Sequence, residues 1–205
     1  MSGICKGSVL KMDFQELKSG ILSCRLCRER FGFEPRPVFF GNADACIVQI
    51  SQAPSKSVSV TLKPFDDAGG RRLRRDWYKI SDEDFYDPKN FYMTCAGHCY
   101  PGKASGGGDK LPPAVCAKKW LFNELEAVNN KIYIIIGRKA AELFFKGEDF
   151  TSLVFTDKTI NGRPAYILPH PSPLNIKWFK ENPEFLSERV KDIENAVHEA
   201  LGIKR

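Results

Sequence analysis

Apolar residues along this chain keep two rhythms. In four places they form short, nearly unbroken runs: Ala45–Ile50, Phe91–Thr94, Lys131–Ile136 and Ala165–Leu168. Short runs of this kind, bounded by Gly, Pro or polar turns, predict strands buried on both faces. Elsewhere apolar residues return every three or four positions, the spacing of a helix that covers a core. Such a segment runs from Asp13 to about Leu26, with Phe14, Leu17, Ile21 and Leu22 on one face. Others hold Trp77, run from Ala114 to Val128 and run from Arg138 to Phe145. Ser81-Asp82-Glu83-Asp84 resembles a capping box and opens a further short helix. Near the C-terminus, Asn182-Pro183-Glu184 reads as an N-cap, a proline at the first helical position and an acidic first turn. Leu186, Val190, Ile193, Val197 and Leu201 then line one face of a long helix.

Strands alternating with helices predict one α/β domain over residues 1–205. Its architecture is three-layered, α/β/α, around a short, mainly parallel, four-stranded central sheet. Ligands of such sheets bind beyond the C-terminal strand ends. Three loops leave those ends, after Ile50, Thr94 and Leu168, and are expected to meet at one rim. Gly102 to Pro113, rich in Gly, Lys and Pro, reads as a mobile loop.

Composition adds a partner and a compartment. The net charge of +6 is unevenly placed: Arg71, Arg72, Arg74 and Arg75 fall together after Gly69-Gly70. Such a cluster suits DNA phosphates, or else forms a solvated helix face. The longest apolar run, Ile132–Ile136, is too short to span a bilayer, and the N-terminus lacks a signal-peptide pattern. A cytoplasmic protein is expected, and nothing in the chain demands more than a monomer.

Seven cysteines in a reducing compartment argue for thiols or metal ligands over disulfides. Cys24 and Cys27 form a C-x2-C knuckle, and Cys99 and Cys116 stand singly far along the chain. A zinc ribbon normally shows two knuckles, so this layout favours a surface 4Fe–4S cluster over zinc, with zinc as the alternative. Cys5, Cys46 and Cys95 fall outside the set, and Cys46, inside a strand, is expected in the core.

These motifs together resemble the uracil-DNA glycosylase superfamily, and within it the iron–sulfur branch of bacteria and archaea. The likeness runs from about Cys24 to Pro183. Ser51-Gln52-Ala53-Pro54-Ser55 is similar to the family's water-activating loop. Pro64-Phe65-Asp66-Asp67-Ala68-Gly69-Gly70 is similar to the segment whose aromatic ring stacks on the flipped base. His170-Pro171-Ser172-Pro173-Leu174 matches the leucine-intercalation loop letter for letter and is the most specific motif. Two positions depart from the pattern. Gln52 and Ala53 stand where several branches carry a catalytic acid, and Thr94-Cys95 stands where many carry the asparagine that reads uracil.

The resemblance implies a monofunctional DNA glycosylase that removes uracil or another deaminated base. His170 would stabilise the departing base, with Asp67 or Asp66 replacing the missing acid beside Gln52. Asp66 and Asp67 also qualify as N-caps for the helix that follows. Ala53, Pro54, Phe65, Thr94, Cys95, Ser172, Leu174 and Asn175 would bind the flipped nucleotide, and the four arginines its backbone. Cys24, Cys27, Cys99 and Cys116 would hold a structural cluster. Two rivals predict different behaviour: a weak or inactive nucleic-acid-binding relative, or a hydrolase of another modified base or nucleotide.

Overall fold

The four apolar runs pair side by side through their backbones, and a fifth strand joins them at one edge. The structure, a computed structural model, describes residues 12–203, so Cys5 lies outside the described residues. The strands are β1 (Ile47–Ser51), β2 (Phe91–Cys95), β3 (Ile132–Ile136), β4 (Lys158–Ile160) and β5 (Arg163–Leu168), in the order β2-β1-β3-β5-β4. β1, β2, β3 and β5 run parallel. Ile50 lies level with Thr94 and Ile135, and Ile136 with Leu168, so the C-terminal ends share one rim. Every residue of β1 and β3 is buried, which requires cover on both faces of the sheet.

The expected four-stranded sheet is thus corrected to five. β4 is antiparallel to β5. The two are joined by Asn161-Gly162, both with positive φ (51° and 74°), as a two-residue hairpin turn demands. β4 is three residues long and mostly polar, which hid it from a hydropathy reading.

Helices fill both sides. The first expected helix splits into α1 (Phe14–Leu22) and α2 (Leu26–Phe31), with the cysteine knuckle between and inside them. α3 (Val58–Thr61) follows β1. α4 (Ala68–Arg71) continues in wider π-type turns over Arg72–Trp77, and α5 (Asp82–Phe85) is capped by Ser81, whose Oγ accepts from the Asp84 N–H at 2.9 Å. Between β2 and β3, α6 (Ala114–Cys116) passes through π-type turns at Ala117–Leu121 into α7 (Phe122–Ala127). α8 (Arg138–Ala141) is shorter than expected and gives way to turns before α9 (Phe150–Phe155).

α10 (Ile176–Glu181), a π-type segment at Phe185–Arg189 and α11 (Val190–Leu201) complete the chain. The π-type turn adds a residue to the helical repeat and shifts its phase. Phe185, Val190, Ile193 and Val197 are therefore buried, while Leu186, expected on the same face, is exposed. Asn182 does not cap this helix with its side chain; its amide donates to the Trp178 carbonyl at 2.8 Å and closes the helix before. Cys46 precedes β1 and is only half-buried against the core.

Candidate active site and cysteine centre

A cleft of about 470 Å³ opens on the rim where the parallel strands end. The three expected loops all reach it. Gln52, Ala53 and Pro54 come from the end of β1, Thr94 and Cys95 from β2, and His170 and Ser172 from the loop after β5. Phe65 and Asp67 enter from the segment before α4.

Phe65 holds an unusual backbone. Its φ is 54°, a left-handed value that costs a bulky residue about 1–3 kcal/mol and tends to mark functional sites. The surroundings enforce it. Its carbonyl accepts from Tyr86 Oη at 3.2 Å and from Arg74 Nη1 at 3.4 Å. Gly70 leaves room for that carbonyl, since a Cβ there would lie 1.7 Å from it. Asp67 is the expected N-cap, its Oδ1 accepting from the Gly70 N–H at 2.9 Å, and the residue also lines the cleft. Asp66 does not line the cleft and instead faces Lys63 at 3.8 Å.

His170 sits just past β5. Its Nδ1 accepts the Ser172 backbone N–H at 3.2 Å, so the proton of the neutral ring resides on Nε2. Desolvation in the cleft lowers its pKa below the ordinary 6.5, against the raising influence of Asp67 and Asp109. The loop is braced from several sides. Asn175 donates its amide to the His170 carbonyl at 3.1 Å, Ser172 Oγ accepts from the Leu174 N–H at 3.2 Å, and Arg72 donates to the Pro171 carbonyl at 3.2 Å. Leu174 stands at the tip, 90% exposed and outside the cleft.

A model of the uracil DNA glycosylase superfamily matches residues 38–194. The chain belongs to that superfamily. The match covers the whole sheet, the cleft and the His170–Leu174 loop, and it carries with it a DNA glycosylase-type function and DNA as the kind of substrate. Among the described residues, no helix is long and apolar enough to cross a membrane.

Thr94 and Cys95 line the cleft at the end of β2. Thr94 turns its hydroxyl to Glu124 at 2.9 Å, and Cys95 Sγ lies 3.1 Å from Ser51 Oγ. Burial pushes the Cys95 thiol up to about 12. Behind the wall, the buried Glu124 also accepts from Tyr92 Oη at 2.7 Å and from His98 Nε2 at 3.0 Å. His98 Nδ1 faces the Val38 carbonyl at 3.2 Å, so both ring nitrogens meet acceptors. Burial opposes the charged ring, yet Glu124 and that carbonyl hold its pKa above the ordinary value.

The arginine cluster divides. Arg71 and Arg75 are exposed, and Arg72 lies beside the His170 loop. Arg74 is a correction: its side chain is 5% exposed and bound to Asp82 at 2.7 Å. The helical phase turns it inward, where it braces Phe65 and cannot reach a phosphate.

Cys24, Cys27, Cys99 and Cys116 line one pocket, with Pro35, Pro112 and Trp120 among its walls. Cys24 and Cys27 precede the stretch matched to the superfamily. Burial raises all three of the later thiols, Cys99 to about 12 and Cys116 to about 11, and neighbouring thiols add to the rise. Held neutral by that rise, the thiols would give up their protons only to a positive group placed between them. Among the described residues, no three Cys, His, Asp or Glu side chains are grouped so as to hold one metal ion. A set of four thiols suits a thiophilic centre, an iron–sulfur cluster or zinc.

Glu124 and Asp109 were absent from the sequence-based expectations, and Ser51 was placed in its loop without a role of its own. Glu124 had a legible signal, since it follows Trp120 and Leu121 by four and three positions and so falls on their buried helix face. Asp109 had none: it reaches the cleft only through the folding of the loop after β2.

Proposed function

We propose that the chain is a monofunctional DNA glycosylase that hydrolyses the N-glycosidic bond of uracil or another deaminated base. The observation that carries this is the placement of His170, a neutral imidazole with its Nε2–H free to donate inside a cleft that also holds Phe65. The flipped base stacks on Phe65, while Leu174 enters the gap it leaves in the duplex. Arg71, Arg72 and Arg75 take backbone phosphates, and Ser172 holds the one nearest the extruded sugar.

As the C1′–N1 bond breaks, its electron pair leaves with the base, and negative charge gathers on the base oxygen. Nε2–H of His170 donates to that oxygen, a preorganised donor aimed at developing charge. The sugar carries the matching positive charge beside Asp67. Water adds its oxygen to C1′, and its proton leaves, giving free base and an abasic sugar. Gln52, Ala53 and Pro54 confine that water, while Thr94 and Cys95 form the wall against the base.

Cys24, Cys27, Cys99 and Cys116 are suited to a 4Fe–4S cluster, which when bound would staple the N-terminal knuckle to the segment after β2. Its role is structural. A base other than uracil is the second reading, favoured by the Ser51–Cys95 wall, which presents no amide to the base.

Labelled oligonucleotides carrying uracil, hypoxanthine, xanthine or a G·T mismatch test the proposal, with His170→Ala as control. Alkali-labile sites that disappear in the variant are expected. Salt-sensitive binding without cleavage of any substrate would leave only a DNA-binding protein.

A further inference from the structure

The superfamily loop after β1 lacks its acid, and the loop after β2 brings one to the same place. Residues 102–110 fold into a small hairpin. Lys103 and Asp109 form an antiparallel bridge, and the Lys110 N–H donates to the Gly102 carbonyl at 2.9 Å. Gly102, Gly107 and Gly108 all have positive φ, which permits its tight bends. The hairpin is seated closely on the sheet end: Pro112 lies so near Gly97 that a Cβ there would meet it at 2.2 Å.

This seating delivers Asp109 to the cleft, among Gln52, Asp67 and His170. Its neighbour Lys110 accepts the Gln52 side-chain N–H on its carbonyl at 3.4 Å, so Asp109 stands beside the residue that occupies the acid's position. One oxygen is already anchored. Asp109 Oδ1 accepts from Tyr100 Oη at 3.2 Å and pairs with Lys103 Nζ at 2.8 Å. Among the described residues Oδ2 has no such partner. A carboxylate on the wall of a cleft, with one oxygen anchored and the other unused, is built to orient a small molecule.

We propose that Asp109 is the water-positioning carboxylate of this glycosylase, supplied by the hairpin after β2 in place of the acid absent from the loop after β1. The inference rests on the glycosylase reading above. Oδ2 accepts one O–H of the attacking water; the water oxygen bonds to C1′ as the C1′–N1 pair departs with the base. The released proton passes to Oδ2 and then to solvent or the free base. Asp67, with Oδ1 tied to the helix cap, is left to stabilise the cationic sugar.

Single-turnover excision from a cleavable oligonucleotide, comparing the wild type with Asp109→Ala and Asp109→Asn, tests this. Both variants are expected to lose about 10²-fold or more, within the range of general acid–base catalysis. Binding of a duplex carrying a tetrahydrofuran abasic analogue is expected to stay within about twofold, and added formate is expected to restore part of the Asp109→Ala rate. A merely structural residue would not respond to formate. Rates within about threefold of wild type, or a loss that formate does not relieve, would overturn the role of Asp109 while leaving the glycosylase intact. A wild-type protein inert on every substrate would overturn both.

Discussion

The imidazole of His170 accepts one N–H from its own loop, and that contact decides where its remaining proton sits. Protonating Nδ1 would break the contact and charge a partly desolvated ring, so the folded state binds that proton more weakly than the unfolded chain. Two consequences follow from the sign. Excision should stay level as pH falls through 6.5 and decline only at lower pH, as His170 charges. Its contribution to stability is full above that value and is lost as pH falls below it. A single-turnover pH profile in which His170→Ala lacks this acid limb would bear the assignment out. Leu174 makes the opposite kind of prediction. Being 90% exposed, it can be cut to alanine with a change in stability within about 0.5 kcal/mol. Excision from duplex DNA should fall sharply, and excision from single strands much less, because only the duplex leaves a gap to fill. Thermal melting and paired excision assays would show whether the two effects separate.

At the scale of elements, the segment from Phe65 through Trp77 works as one device. Arg74 and Tyr86 hold the strained Phe65 carbonyl from one side, and Gly70 makes room for it on another. Arg74→Ala should therefore lower stability by about 1–3 kcal/mol, the usual cost of leaving buried polar groups unpaired. Arg71→Ala and Arg75→Ala should barely change melting, yet each should reduce the salt slope of DNA binding by about one. Equal salt slopes for all three variants would refute this division. Gly70→Ala should disable base binding outright, since its Cβ and the Phe65 carbonyl cannot both keep their places.

For the whole molecule, the cysteine pocket and the cleft back onto each other through one stretch of chain. The loop from Cys99 to Cys116 starts and ends at proposed ligands and carries Asp109 to the cleft between them. Val38 links the two sites as well, lining the cleft while its N–H and carbonyl bind His98. The cysteine pocket is thus a neighbour of the rim. On the proposed 4Fe–4S reading, Cys99→Ser should lower iron content and the visible absorbance such a cluster gives, and speed proteolysis within the glycines at 106–108. Full iron content in that variant would remove Cys99 from the ligand set.

The sequence by itself determined the strands that carry the site and most of the residues on its rim. Unbroken apolar runs read as strands buried on both faces, and their alternation with helices points to parallel pairing and a shared C-terminal edge. The Pro-bounded His170–Leu174 loop was legible for the same local reason. Where a side chain's direction depends on phase, the sequence was a weaker guide. Arg74 sits one step from exposed Arg75, and the π-type turn at 185–189 exchanged Phe185 for Leu186 in the core. Only the tertiary structure decided that the four cysteines share a pocket, that His170 holds its proton on Nε2, and that Asp109 enters the cleft. The cysteine pocket and the entry of Asp109 depend on contacts between segments far apart in the chain, and the His170 tautomer on the exact bend of its own loop; no local periodicity encodes any of them.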